Sequence, residues 1–201
     1  MTISRATSGF GTAIVEEDTI LFGGSHRIVV PRYSDLSITA GSGQTMVAAF
    51  RGWAATTSGR IISSENATTF DGNGIYYDAT PTVQHRTDDG TTISQGSGTP
   101  TNYQRHTFVA AHVNGDQERY LDGVSVDTDT DTLSSTIPGD QLWVGDTPTS
   151  RAYRGEFFGA AVLSKRVTDT EAQAIHNEFH IALPVGVAAT GYTTGFDEGF
   201  F

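Results

Sequence analysis

Short runs of β-forming residues, separated by clusters of Gly, Asp, Asn, Ser and Pro, fill the chain from about Thr19 to Leu163. Runs of this length, bounded by turn-forming residues, are typical of antiparallel strands joined by tight turns. The 201 residues are enough to bury one core, and an all-β sandwich of this length ordinarily forms one domain. The pattern therefore predicts a single all-β domain.

Three turn signals predict hairpins between neighbouring strands. Asn-Gly and Asp-Gly readily adopt the positive φ angles of a two-residue type I′ turn, which matches the twist of the flanking strands. The predicted turns are Asn114-Gly115 between 107–113 and 118–121, Asp122-Gly123 between 121 and 124–126, and 88–90 between 83–87 and 91–94. Together they predict a meander of consecutive strands.

One segment near the end of the β pattern has a helical period. Thr168 followed by Glu171 forms a capping box, in which each residue satisfies a backbone N–H of the first turn. Apolar residues then recur at helical spacing, at Ala172, Ile175, Phe179 and Leu183. The pattern predicts a short amphipathic helix after the last strand.

The order and spacing of several short segments resemble the concanavalin A-like (laminin G-like) jelly-roll family over about residues 18 to 180. These segments are Leu21–Gly24, Ile28–Pro31, Met46–Trp53, Arg119–Gly123, Leu142–Gly145, Tyr153–Phe157 and Leu163–Ala172. The resemblance implies an all-β, two-sheet antiparallel jelly-roll sandwich with one short C-terminal helix and extended terminal arms. The helix is expected to plug one end of the sandwich, with Ile175 and Phe179 turned inward.

The two ends of the chain lie outside this resemblance. We expect an N-terminal arm at residues 1–17, the jelly-roll domain at 18–183 and a C-terminal arm rich in aromatic residues and Gly at 184–201. Disordered tails are usually poor in aromatic residues, so the last arm is expected to be buried against a partner. The residues expected to bind partners are Ile14, Val15, Tyr192, Phe196, Phe200 and Phe201.

Composition narrows the expected partners and the expected location. The chain has 12 basic and 23 acidic residues, a formal charge of −11, which repels nucleic acid and anionic lipid. It has no Cys, so a disulfide scaffold and a thiolate metal site are excluded. Residues 1–10 lack the apolar stretch of a signal peptide, and no segment is apolar enough for a membrane span. We expect synthesis in a cytoplasm without export, no binding to nucleic acid and no membrane insertion.

The sequence lacks the residue patterns that would indicate catalysis. Glycan hydrolases of the family carry a Glu-x-Asp-x-x-Glu strand, whose paired carboxylates flank one glycosidic bond, and this chain has no such strand. His176 and His180 have zinc-ligand spacing, but Asn177 stands where a zinc peptidase needs Glu. His106 and His112 share one face of a predicted strand, but no Gly-x-Ser-x-Gly elbow accompanies them. We expect no enzymatic activity.

Three acidic residues are the candidates for metal binding. Asp127, Asp129 and Asp131 resemble the start of an EF-hand loop, but Thr132 and Pro138 occupy the positions of its required Gly and Glu. An EF-hand is excluded. No metal or other cofactor is expected, and the alternative is a looser calcium site formed by these three carboxylates. We favour instead a solvated acidic edge that discourages strand-to-strand aggregation.

Four residues in turn-rich segments could bind a sugar. Sugar-binding jelly rolls use rim loops, where an aromatic ring stacks on the sugar and Asp or Asn bonds its hydroxyl groups. The candidates of this kind are Asp71, Asn73, Asn102 and Tyr103. The alternative is ordinary turn formation by Asp-Gly and Asn-Gly, with Tyr76 or Tyr77 facing the core.

Three functional hypotheses follow from these patterns. The first is a non-enzymatic structural protein of a virus particle, such as a bacteriophage capsid decoration, head fibre or tail component. Its partners would be capsid or tail proteins and neighbouring copies in a homo-oligomer. The alternative is a carbohydrate-binding module for cell-surface glycans. A hydrolase with unrecognised carboxylates is the third. The aromatic C-terminal arm favours the first hypothesis, since such an arm suits anchoring in an assembly.

Overall fold

The computed structural model describes residues 14–16, 19–23, 28–30, 42–53, 59–65, 72–78, 80–88, 93–132, 142–145 and 153–180. Within these residues the chain forms thirteen strands and one helix. The strands are β1 Ile14–Glu16, β2 Thr19–Gly23, β3 Ile28–Val30, β4 Gln44–Gly52, β5 Gly59–Glu65, β6 Gly72–Tyr77, β7 Val83–Asp88, β8 Ile93–Gly98, β9 His106–Val113, β10 Asp116–Leu121, β11 Val124–Asp129, β12 Leu142–Val144 and β13 Arg154–Leu163, and the helix α1 is Asp169–His180. No helix among the described residues has the length and apolarity to cross a membrane.

The strands form two antiparallel sheets. The first has seven strands in the order β1-β2-β13-β4-β9-β10-β11, and the second has six in the order β3-β12-β5-β6-β7-β8. Consecutive strands of the meanders pair directly, whereas β13 returns to lie between β2 and β4. This arrangement is the two-sheet jelly-roll sandwich that the sequence predicted.

The main core lies between the two sheets, because alternate residues of each strand point inward. In β9, Phe108 and Ala110 belong to this core, while the intervening Val109 and Ala111 belong to a second cluster. The first sheet is thus buried on both faces at its centre. This explains why the centres of β4 and β9 carry unbroken apolar runs, Met46–Phe50 and Phe108–Ala111, rather than an alternation.

The second cluster is formed by α1 and the outer face of the seven-stranded sheet. Ala172 is buried there, and Ile175 and Phe179 pack against sheet residues such as Val109 and Ala111. The expected inward orientation of Ile175 and Phe179 is confirmed. The expected position of the helix at one end of the sandwich is wrong, because the outer face of this sheet carries the apolar side chains that the helix covers.

Two of the three predicted turns and the predicted cap are present. The capping box closes α1 through a bond from the Thr168 N–H to a Glu171 carboxylate oxygen at 3.0 Å. Asp122 and Gly123 have φ angles of 53° and 78°, as a type I′ turn between β10 and β11 requires. At the β9–β10 turn only Gly115 has a positive φ, so this turn is not type I′. Strands β7 and β8 pair as predicted, but Asp88 lies in β7 rather than in the turn, and residues 89–92 lie outside the described residues.

The N-terminal segment differs from the expected free arm. Ile14 and Val15 lie in β1, which pairs with β2 of the same chain at one edge of the seven-stranded sheet. Because β2 already pairs with β13, β1 extends the sandwich by one strand. The aromatic residues of the predicted C-terminal arm, Tyr192, Phe196, Phe200 and Phe201, lie outside the described residues, so that arm remains a prediction.

Candidate functional site

A loop between β8 and β9 brings an exposed aromatic residue to one end of the sandwich. We call residues 101–105 the rim loop. Tyr103 in this loop is 62% exposed and has a φ of 63°, a left-handed conformation that is uncommon for a bulky residue. Its N–H donates to the Gly52 carbonyl at 3.1 Å, and the Gln104 N–H donates to the Thr101 carbonyl at 3.3 Å. The backbone bonds therefore fix an exposed tyrosine on a strained turn.

The residue before Tyr103 anchors the rim loop to the core. The side-chain oxygen of Asn102 accepts a hydrogen bond from the hydroxyl of Tyr77. Tyr77 is buried and packs edge-on against Phe50 and Tyr153. Burial raises the pKa of the Tyr77 hydroxyl, and the neighbouring Tyr103 adds to this shift, so it remains a donor to Asn102. The loop is therefore held by a side chain from between the sheets.

Gly52 allows this close contact between strand and loop. A Cβ atom at Gly52 would lie 2.3 Å from the ring of Tyr77, closer than packed atoms tolerate. Trp53 follows at the end of β4, is partly exposed, and donates its N–H to the Arg154 carbonyl at 3.2 Å. Sequence reasoning missed Trp53 as a site residue. The signal was present, because it is an aromatic residue at the end of a long apolar strand.

His106, at the start of β9, links the rim loop to Asp122 in the β10–β11 turn. The Nδ1 of His106 lies 2.6 Å from Asp122 Oδ2, and its Nε2 lies 2.9 Å from the Thr101 carbonyl. The other Asp122 oxygen accepts the Thr107 N–H at 2.9 Å. Burial alone would lower the pKa of His106, but the bonds to Asp122 and Thr101 and the Asp122 charge raise it above its ordinary value.

The same contacts lower the pKa of the Asp122 carboxyl. Burial would raise the pKa of Asp122, but the bonds from His106 and the Thr107 N–H, with the charges of His106 and His176, hold it below its ordinary value. The contacts thus favour the charged forms of both His106 and Asp122. Arg105 completes the surroundings, because its guanidinium lies 4.3 Å from the centre of the Phe158 ring and donates to the Phe179 carbonyl of α1.

Of the four predicted sugar-binding residues, the structure brings only Asn102 and Tyr103 to this rim. Asn73 is buried and faces the space between the sheets, so its predicted place on an exposed loop is wrong. Its amide donates to Gln44 Oε1 at 2.7 Å, and its oxygen lies 2.6 Å from His85 Nε2. It shares its face of β6 with the core residues Ile75 and Tyr77. Asp71 lies outside the described residues.

The predicted calcium candidates instead balance a buried charge. Arg119 is fully buried, with its NH1 3.3 Å from Asp127 Oδ2 and its NH2 3.8 Å from Asp129 Oδ2. Asp131 donates its N–H to Asp129 Oδ1 at 3.0 Å. No group of three metal-ligating side chains that could hold an ion occurs in the described parts of the chain. The calcium alternative is therefore not supported, because a buried guanidinium requires counterions.

The fold has close structural neighbours among lectin-like jelly rolls. One is a structure of botulinum neurotoxin type C, a toxin whose cell entry depends on two ganglioside molecules, with a TM-score of 0.67 and 9% identity over 84% of this chain and 45% of the toxin chain. Another is the binding domain of botulinum neurotoxin DC in complex with SialylT, with a TM-score of 0.64 and 9% identity over 90% of this chain and 45% of the other.

A third neighbour matches along most of its length. It is the native heptameric SAP-like pentraxin from Limulus polyphemus, with a TM-score of 0.60 and 12% identity over 94% of this chain and 93% of the pentraxin. This chain spans less than half of the two toxin chains. No protein-family model matches the sequence, and no curated protein does. At these identities the comparisons establish a lectin-like jelly-roll fold.

Proposed function

We propose that this chain is a non-enzymatic carbohydrate-binding module whose binding rim comprises Trp53, Asn102 and Tyr103. The observation that carries the proposal is Tyr103, the exposed aromatic side chain on a rim loop that is bonded to Gly52 and, through Asn102, to the core. Strained, firmly held loop residues cluster at binding sites, because the surrounding structure must maintain them.

The chemistry of the rim suits a sugar ring. The face of a tyrosine or tryptophan ring offers a flat apolar surface for the C–H groups of a sugar, and the hydroxyl of tyrosine adds a polar tip. The exposed side chains of Thr101 and Gln104 offer hydrogen-bonding groups beside Tyr103. An aromatic platform with a few polar groups around it is the usual composition of a site that orients a small polar ligand.

The structural neighbours support this proposal at the level of fold. Two of them are parts of toxins described with ganglioside molecules or with SialylT, and this chain matches less than half of each toxin chain. The proposal of glycan binding therefore rests on the rim of this chain, since fold alone does not determine function.

The described carboxylates favour binding over hydrolysis. A glycosidase needs a carboxylic acid with a raised pKa beside a second, ionised carboxylate. Here the pKa of Asp122 is lowered by its bonds to His106 and Thr107, and Glu156 forms a two-pronged ion pair with Arg51 at 2.7 and 3.0 Å. Asp127 and Asp129 neutralise Arg119. These carboxylates already have structural partners.

A glycan array of sialylated and neutral oligosaccharides tests the proposal, with the wild type compared with Tyr103→Ala and Tyr103→Phe. We expect binding by the wild type, a loss of about tenfold or more in Tyr103→Ala, and near-normal binding in Tyr103→Phe, which keeps the ring. Val126→Ala, which removes an exposed apolar side chain from β11, is the matched control and should bind normally. Equal binding by wild type and Tyr103→Ala would refute the assignment of the rim.

The aromatic tail favours a second proposal, a structural role in a virus particle anchored by residues 184–201. Burying three Phe side chains contributes on the order of 1.5 to 3 kcal/mol each, less than the cost of ordering the segment, so backbone bonds to a neighbour must contribute. We expect deletion of 185–201 to preserve the thermal transition but to abolish co-sedimentation with particles that lack the protein. Normal co-sedimentation of the truncated chain would contradict the anchoring role.

A further inference from the structure

His106 has an environment that only its charged form can satisfy. Its two ring nitrogens lie 2.6 Å from a carboxylate oxygen of Asp122 and 2.9 Å from the carbonyl oxygen of Thr101. Both partners are acceptors and neither can donate. A neutral imidazole has one N–H and can satisfy one of them, whereas the imidazolium has two and satisfies both. The geometry therefore selects the protonated ring.

The second of these acceptors belongs to the rim loop. The Thr101 carbonyl also accepts the Gln104 N–H, so it closes the turn that carries Asn102 and Tyr103. If His106 loses a proton, the remaining N–H stays on the nitrogen facing the Asp122 charge, because bonds to ions are the stronger ones. The lone pair of the other nitrogen then faces the Thr101 oxygen. This contact is repulsive, so the turn loses its support.

We propose that protonated His106 is a positioning residue for the rim: it ties the rim loop to Asp122, and loss of its proton releases the Thr101 carbonyl and with it the fixed position of Tyr103. The rim is thereby a binding surface that keeps its geometry while His106 is protonated and weakens as His106 loses its proton. The consequence for binding rests on the proposed function, whereas the change in the loop does not.

The groups around His106 determine the direction of the effect. The ionisable neighbours are Asp122 from the β10–β11 turn, Arg105 from the rim loop, and His176 and His180 from α1, while β4 contributes the apolar ring of Phe50. The pKa of His106 is raised, so its contribution is complete below the ordinary histidine value of about 6.5 and is lost as pH rises through the raised value. The lowered pKa of Asp122 preserves the pair on the acid side.

Nuclear magnetic resonance on the intact chain tests the loop without any glycan. The imidazole nitrogens of His106 are followed from about pH 5 to about pH 9, together with the exchange protection of the Tyr103 amide, corrected for intrinsic exchange. We expect His106 to titrate above the ordinary value, and the Tyr103 protection factor to fall about tenfold through the same midpoint. Titration at or below the ordinary value, or unchanged protection, would overturn the proposal.

Two variants and a binding measurement complete the test. His106→Gln should make the protection of Tyr103 independent of pH, whereas Glu178→Gln, which removes an exposed charge of α1 that is not among the named neighbours of His106, should keep the wild-type profile. The glycan array is then repeated across the same pH range, and binding should fall with the midpoint of His106. Binding that ignores pH while the loop responds would refute the regulatory claim. An array that is empty at every pH refutes the proposed function, and the resonance data still decide the role of His106.

Discussion

At the two ends of the sandwich, the surroundings shift the pKa values of two histidines in opposite directions. At the rim end, His106 faces Asp122 and the Thr101 carbonyl, and its pKa is raised. At the far end, His85 is fully buried between the sheets, and burial, with Arg119 and His112 nearby, lowers its pKa well below the ordinary value. The surroundings favour the charged form of His106 and the neutral form of His85. The partners, rather than the residue type, set the charge.

The difference follows from how each end satisfies its polar groups. The far end encloses an inter-sheet polar cluster, which we define as Gln44, Asn73, His85, Gln117 and Arg119. Arg119 supplies its only described fixed positive charge, and Asp127 and Asp129 balance it from the edge strand β11. The described side-chain partners of the His85 ring are Asn73 and Thr87, neither of which is charged. Near the rim, His106 instead contacts the carboxylate of Asp122 directly.

The largest expected effect comes from removing the charge at the far end. Arg119→Ala leaves Asp127 and Asp129 without their buried partner, and removing one member of a buried pair costs about 3 to 5 kcal/mol. Asp127 is partly exposed, so we expect the lower end of this range in urea unfolding. Arg154→Ala, which removes an exposed arginine of β13, is the control and should change the unfolding free energy by less than about 0.5 kcal/mol. Equal changes in the unfolding free energy of the two variants would show that the buried charge contributes no more to stability than the exposed one.

A smaller effect is expected in the pH dependence of folding stability, which should differ between His85 and His106. His85 is neutral in the folded chain and protonates more readily when unfolded, so stability should fall as pH drops below about 6.5, by up to about 1.4 kcal/mol per pH unit. His85→Gln should flatten this slope in unfolding curves measured at several pH values. His106→Gln should instead remove stability on the acid side, where the imidazolium contributes. Identical pH profiles for the two variants would contradict the assigned charge states.

The smallest expected effect concerns the anchor of the rim loop. Asn102→Ala leaves the buried Tyr77 hydroxyl without this acceptor, which costs about 1 kcal/mol and lowers the melting temperature by a few degrees. Tyr103 should also become more mobile, with a lower amide protection factor. Gln104→Ala, an exposed change in the same loop, should leave the melting temperature nearly unchanged. An unchanged protection factor in Asn102→Ala would mean that the backbone bonds alone fix the loop.

Local patterns predicted the local elements of this fold. The Asp122-Gly123 turn and the Thr168–Glu171 cap were confirmed because each depends on residues only a few positions apart. The jelly-roll architecture was confirmed through the spacing of its strands. The position of α1 was wrong, because it depends on which sheet face carries a second apolar cluster. That information emerges only after β4, β9 and β13 are placed side by side.

The candidate site could be predicted only in part, because several of its contacts join residues that are distant in the sequence. Tyr103 follows from turn chemistry and aromatic content, but the contact between His106 and Asp122 spans 16 positions and requires the β9–β10 pairing. Asn73 was misassigned because the sequence Asp-Gly-Asn-Gly suggests a turn, although Asn73 has the same alternation as Ile75 and Tyr77. The role of Asp127 as a counterion depends on Arg119 of the adjacent strand.

Asp122 performs three tasks at once, and this has an evolutionary consequence. It adopts the positive φ of its turn, accepts the Thr107 N–H, and balances the charge of His106. Asparagine suits the same turn position and can accept the same backbone bond, but it has no charge. A single nucleotide change from an aspartate to an asparagine codon would therefore preserve the hairpin while removing the ion pair. Descendants of this sequence could lose their response to acidity in one step, with the architecture intact.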